Sequence, residues 1–134
     1  ICAALSNKIK KTKLYFHHDL SSQNTLSGNH VLWMRKNFGL TKLKTKSIKT
    51  SRLDNILKRS KINNIDFLNI DIEGLELEVM STINFNKLNI KVICIELLSY
   101  NLIQKKRKKN IINFLKKNKF KVVNKLRENY ILTK

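Results

Sequence analysis

Two rhythms of hydrophobic and polar positions run along this chain. Short runs of β-branched and aromatic residues at 65–70 and 90–98 predict strands, and apolar residues three and four positions apart over 53–60, 75–83 and 102–118 predict helices. Taken in order, residues 1–5 read as a strand and 13–16 as a second. A polar segment follows over 17–30, rich in Ser, Asn and Gln (Ser21, Ser22, Gln23, Asn24), and reads as a long loop. The pattern over 31–38 fits neither rhythm, although its Trp33 is suited to anchoring the loop. Residues 40–50 carry Lys42, Lys44 and Lys46 at alternate positions, the mark of an edge strand with one wet face. Ser51 is placed as a helix N-cap, with Asp54 three residues on. Asn63 and Asn64 make the turn into a central buried strand. The run at 90–98 is apolar enough to be covered on both faces. The chain closes with a hairpin, 120–124 and 129–132, around Arg127 and Glu128.

This strand, helix, strand, helix order, ended by a hairpin, is that of an α/β domain. Crossovers of such length imply parallel pairing of the two buried strands, so the sheet is expected to be mostly parallel with a C-terminal antiparallel hairpin. At 134 residues the chain is expected to form a single domain over 1–134. Residue 1 lies in a strand already under way, which suggests a fragment whose N-terminal part lies upstream.

Candidate chemistry gathers where the central strand gives way to its helix, in Asp71-Ile72-Glu73-Gly74-Leu75-Glu76-Leu77-Glu78. Ligands of open α/β sheets bind beyond the carboxyl ends of the strands, which is where Asp71 stands. Carboxylates there can align or deprotonate a substrate, and they can equally cap the helix that follows. Glu76 and Glu78 fit the first helical turn, where the backbone dipole favours negative charge. Three close carboxylates are one way to hold a divalent cation, but with no histidine adjacent in sequence and a helix terminus competing for them, no metal is expected. Glu96 ends the second buried strand, either as another wall of the site or as a charged strand terminus. His17 and His18 in the polar segment either touch substrate or are solvated.

Composition changes this picture little. The net charge is +19, from 28 Lys and Arg against 9 Asp and Glu, a balance that suits a polyanionic partner. Arginine, whose bidentate fork reads phosphates and base edges, is scarce, and no aromatic residues interleave the basic run 105–109. A nucleic-acid or polyanion-binding α/β module without enzymatic activity is therefore the alternative, not the first reading. Cys2 and Cys94 lie in apolar runs and read as small buried hydrophobes, so neither a disulfide nor a metal site is indicated. No apolar run is long enough to cross a bilayer, and a cytoplasmic location without membrane association is expected.

The residues 65–80 resemble the central motif of the FkbM-type methyltransferases, class I enzymes that use S-adenosylmethionine. Ala3-Ala4-Leu5-Ser6 with Lys13-Leu14-Tyr15-Phe16 is similar to the family's third-strand segment. Thr50-Ser51-Arg52-Leu53-Asp54 resembles its next helix start, and Val92-Ile93-Cys94-Ile95-Glu96 its fifth strand. Asn69 departs from the pattern, since many relatives carry Lys there. The resemblance implies a partial Rossmann-like class I methyltransferase sheet, the C-terminal part of the domain. The family's glycine-rich cofactor loop and ribose-binding acid lie upstream of the matched segment. It implies S-adenosyl-L-methionine as cofactor and O-methylation of a glycan or secondary-metabolite hydroxyl. It further implies that Asp71 and Glu73 are catalytic, that Ala3, Ala4, Leu5 and Asp71 line the cofactor site, and that Glu73 faces the acceptor; Glu96 and His17 are taken as candidate acceptor contacts from their own positions.

Overall fold

The computed structural model describes residues 3–18, 24–40 and 42–134. The expectations placed on Ile1, Cys2, Ser21, Ser22 and Gln23 lie outside them. The chain divides into two compact units, one formed by 1–55 with 72–82 and the other by 56–71 with 83–134.

The first unit holds a three-stranded sheet of order β1-β3-β2, made of β1 (Ala4–Leu5), β2 (Lys11–Phe16) and β3 (Lys44–Ser51). β1 runs parallel to β3, pairing Ala4 with Thr50 and Leu5 with Ser51, whereas β2 runs antiparallel to it from Lys11↔Lys49 to Phe16↔Lys44. The lysine-bearing segment is thus the middle strand of this sheet and not an edge. Its lysines are solvated all the same: Lys44, Lys46 and Lys49 are exposed while Thr50 is fully buried. The Thr50 hydroxyl donates to the Lys8 carbonyl at 2.6 Å and accepts from the Lys10 backbone N–H at 3.1 Å, tying the β1–β2 connection to the sheet.

The pattern that fitted neither rhythm is a helix, α1 (Gly28–Phe38). Ser27 caps it by accepting from the His30 backbone N–H at 3.3 Å, and Gly39 ends it in the left-handed conformation at φ 63°. The polar segment is therefore shorter than expected, and His30 is a buried helical residue. Tyr15 and Thr25 exchange backbone hydrogen bonds of 2.9 and 3.0 Å across it. α1 buries Val31 and Met34. The same unit holds α3 (Glu76–Met80), shorter than the 75–83 expected, with Val79 and Met80 buried.

Ser51 does not cap the following helix, because it is still paired in β3. α2 (Leu53–Arg59) starts instead at the Arg52–Asp54 pair, with Nε–Oδ1 at 2.9 Å and Nη2–Oδ2 at 2.6 Å. The hydrogen bond from Arg52 holds the Asp54 carboxyl below the usual carboxylate range, and in return raises the guanidinium.

The second unit is built on a four-stranded sheet of order β4-β5-β7-β6, with β4 (Asn64–Ile70), β5 (Asn89–Glu96), β6 (Lys121–Leu126) and β7 (Asn129–Thr133). β4 and β5 are parallel from Asn64↔Asn89 to Ile70↔Ile95, as the long crossover requires. β7 lies antiparallel between β5 and β6. The expectation of a mostly parallel sheet is corrected: both sheets are mixed, and β2–β3, β5–β7 and β6–β7 are all antiparallel. A two-residue turn can join β6 to β7 only in opposite directions, and inserting β7 beside β5 adds a second antiparallel ladder.

β4 is also not the buried central strand expected from its apolar run. It stands at the edge of its sheet, with Phe67 59% exposed and Ile70 alone buried among its residues. On β5, Ile90, Ile93 and Ile95 are buried and Val92, Cys94 and Glu96 half-buried, while Lys91 is exposed, so both faces are covered only in part. Cys94 is a free thiol.

α4 (Leu102–Lys117) buries Ile111 and Leu115, and Asn101 caps it by accepting from the Gln104 backbone N–H at 2.9 Å. Phe85 packs edge-to-face on Phe114 and Phe120, at 5.9 and 5.6 Å between ring centroids. In the basic run Lys105, Lys106 and Lys109 are exposed, while the Lys108 ammonium donates to the Tyr130 hydroxyl at 3.3 Å. Among the described residues no helix is long and apolar enough to cross a membrane.

Candidate active site

In the second unit, β4 and β5 end side by side. Because Ile70 pairs with Ile95 in a parallel ladder, Asp71 and Glu96 fall at the same level beyond the two carboxyl ends, with carboxylate oxygens within 4.8 Å of each other. Asp71 is exposed and Glu96 half-buried. These two expected site residues are thus brought together by sheet register. The other acidic residue of β4, Asp66, forms a surface ion pair with Lys91 of the neighbouring strand at 2.6 Å, which lowers the carboxyl and raises the ammonium. It belongs to the strand's exposed ladder and not to its end.

Glu73 belongs to the first unit. It sits in the turn before α3 with φ 49°, a left-handed conformation that costs a non-glycine residue about 1–2 kcal/mol. Gly74 follows at φ 106°, a region that side chains rarely enter, which is why the turn needs glycine there. Two contacts hold this backbone. The buried Thr25 hydroxyl donates to the Glu73 carbonyl at 3.1 Å and itself accepts from the Ser27 backbone N–H at 3.0 Å. The Gly74 N–H donates to the Glu76 carboxylate at 2.6 Å. Glu76 is thereby 6% exposed and bound to the turn, while it also occupies the first turn of α3 as expected.

The Glu73 carboxylate meets a partner that sequence reasoning missed. His30 Nε2 lies 3.2 Å from Glu73 Oε2, with the two side chains 7% and 16% exposed. The imidazole rests against Trp33, at 5.2 Å between ring centroids, so Trp33 anchors this histidine within α1. A signal for the helix was present, since Ser27 precedes it as a cap and Gly39 follows it, but nothing local joins residue 30 to residue 73.

The remaining expected residues have simpler surroundings. His17 is exposed just past β2, and its described ring contact is with His18, edge-to-face at 5.5 Å. Ala4 and Leu5 are half-buried in β1, and Ala3 before them is exposed.

Carboxylates at the ends of adjacent parallel strands stand where α/β sheets generally bind ligands. The family can be stated more closely. Residues 1–122 match the family model described as the methyltransferase FkbM domain, and the chain belongs to that family. No curated protein and no solved structure matches it significantly.

Proposed function

We propose that the chain acts as part of an S-adenosylmethionine-dependent O-methyltransferase whose acceptor is a hydroxyl of a glycan or a secondary metabolite. The family supports methyl transfer, and the observation that carries the reading to particular residues is the pair of carboxylates, Asp71 and Glu96, held together by the β4–β5 register. The cofactor supplies an electrophilic methyl group on a cationic sulfonium. Carboxylates at strand ends suit that cation electrostatically, and the half-buried Ala4 and Leu5, beside the exposed Ala3, suit the flat face of an adenine. A glycine cradle for the methionine end is not among the described residues. Gly28 opens α1, Gly39 caps it, and Gly74 serves the turn. The fit thus extends to the sulfonium and the adenine.

In this reading Asp71 stands beside the transferred methyl and Glu73 takes the proton of the attacking hydroxyl. Glu96 and His17 orient the acceptor. A base fixed in a strained turn does not have to be reorganised as the hydroxyl approaches, and such preorganisation contributes most when both reactants are aligned. Isothermal titration calorimetry on the full-length protein tests the cofactor assignment. Saturable binding of S-adenosylmethionine and of S-adenosylhomocysteine is expected, weakened by Asp71→Ala. Absence of heat with both ligands would overturn it.

A further inference from the structure

The His30–Glu73 pair adds a residue to this site. We infer that His30 is a positioning residue, whose Nε2, 3.2 Å from Glu73 Oε2, pairs with the carboxylate that accepts the proton and so sets its direction. The inference rests on Glu73 being the base proposed above.

Three observations converge on it. First, both side chains are nearly withdrawn from water, at 7% and 16% exposure, and their nearest atoms are 3.2 Å apart. A polar contact to a carboxylate strengthens when solvent does not compete for it. Second, the histidine has little freedom to leave. Its backbone N–H is bound by the Ser27 cap at 3.3 Å, and its ring packs against Trp33, tilted at 39° with 5.2 Å between centroids. Third, the glutamate is held independently from the backbone side, by the Thr25 hydroxyl on its carbonyl and by the φ of 49° that this contact maintains. Strain kept at a turn by surrounding contacts, with a buried histidine on the side chain it presents, is the pattern of a preorganised group and not of a helix cap. In the same turn the Gly74 N–H is taken by the Glu76 carboxylate.

The geometry has a chemical consequence. A carboxylate oriented by the imidazole keeps a fixed angle towards an incoming hydroxyl; with the cofactor bound, the hydroxyl's O–H bond would break towards Glu73 as the C–O bond forms and the methyl–sulfur bond breaks, the sulfonium leaving as the neutral thioether S-adenosylhomocysteine. His30 itself neither gains nor loses a proton in this step. It acts through Glu73, as an outer partner acts through a metal ligand, where loss of such partners typically costs about 10–100-fold.

The test uses full-length protein with histidine labelled in the ring nitrogens. Of this chain's three histidines, His17 and His18 serve as internal controls. The expected result is a His30 Nε2–H resonance that exchanges slowly with water and moves in Glu73→Gln, while the other two rings do not move. Methyl transfer is then followed as S-adenosylhomocysteine release with methyl hexopyranosides as acceptors. His30→Ala is expected to lower kcat about 10–100-fold with KM little changed. His30→Gln, which presents an amide N–H near the same place, should restore most of it. Identical His30 resonances in wild type and Glu73→Gln would overturn the pair. Full activity of His30→Ala alongside an inactive Glu73→Gln would overturn the positioning role and leave Glu73 as the base. If Glu73→Gln is as active as the wild type, the reading of Glu73 itself fails.

Discussion

The hydroxyl of Thr25 is a small group on which two backbone segments depend, and removing it gives a sharp prediction. Thr25→Val keeps the volume and the β-branched shape that suit its bridge to Tyr15, whose two backbone hydrogen bonds of 2.9 and 3.0 Å are untouched. It removes the donor to the Glu73 carbonyl at 3.1 Å and the acceptor for the Ser27 N–H at 3.0 Å, at a residue 2% exposed. Each backbone group left without a partner away from water costs about 1–3 kcal/mol. The added methyl recovers about 0.8 kcal/mol by burial. A net loss of about 1–5 kcal/mol therefore follows, which for a chain of this size is on the order of 4–20 °C in the unfolding midpoint. The single tryptophan, Trp33, lies in α1 of the same unit, so urea unfolding followed by its fluorescence reports this unit directly. Thr25→Ser, which keeps the hydroxyl, is expected to lose about half as much or less. A Thr25→Val midpoint unchanged within about 0.3 kcal/mol, or a Thr25→Ser loss equal to it, would refute the argument that the hydroxyl holds the Glu73 turn.

Three other outcomes are expected. Phe120→Ala removes a fully buried ring that packs edge-to-face on Phe85, and should destabilise the second unit by about 3–5 kcal/mol in thermal or urea unfolding. Asn101→Ala deletes the cap of α4 and should cost about 1 kcal/mol, read as faster amide exchange in the helix's first turn. The Asp54 carboxyl is held below its usual range by Arg52, so its contribution is present above about pH 4 and is lost as the pH falls through the folded-state value. Stability of wild type and Asp54→Asn, compared across an acid titration, should converge at low pH; a constant gap would contradict that sign.

How far the sequence carried differs from element to element, for physical reasons. β5 and α4 were legible because each announces itself locally, the first by a near-continuous apolar run and the second by a long amphipathic pattern after an asparagine cap. The β6–β7 hairpin was legible from two short runs separated by Arg127 and Glu128. α1 was not, because its first turn is Gly28, Asn29 and His30, which carries no apolar period, and its cues were the cap residues at either end. The place of β4 at a sheet edge and of β3 in the middle of another were hidden for a different reason: strand order is decided by tertiary pairing, and lysines on β3 are solvated by facing water and not by lying at an edge. At the site, Asp71 and Glu96 were identifiable from the ends of two strand patterns, since parallel register carries such ends to one level. The His30–Glu73 contact was not, because it joins a helix to a turn that no local periodicity relates.

The measurement that bears most directly on the account is methyl transfer by the full-length protein, from S-adenosylmethionine labelled in the methyl group to a panel of hydroxyl acceptors, in wild type, Asp71→Asn and Glu73→Gln. Transfer to oxygen is predicted in the wild type, with Glu73→Gln slower by about 10²–10⁴-fold, the usual contribution of a positioned base, and Asp71→Asn impaired as well. Wild-type rates in both variants would contradict the assignment of these two carboxylates.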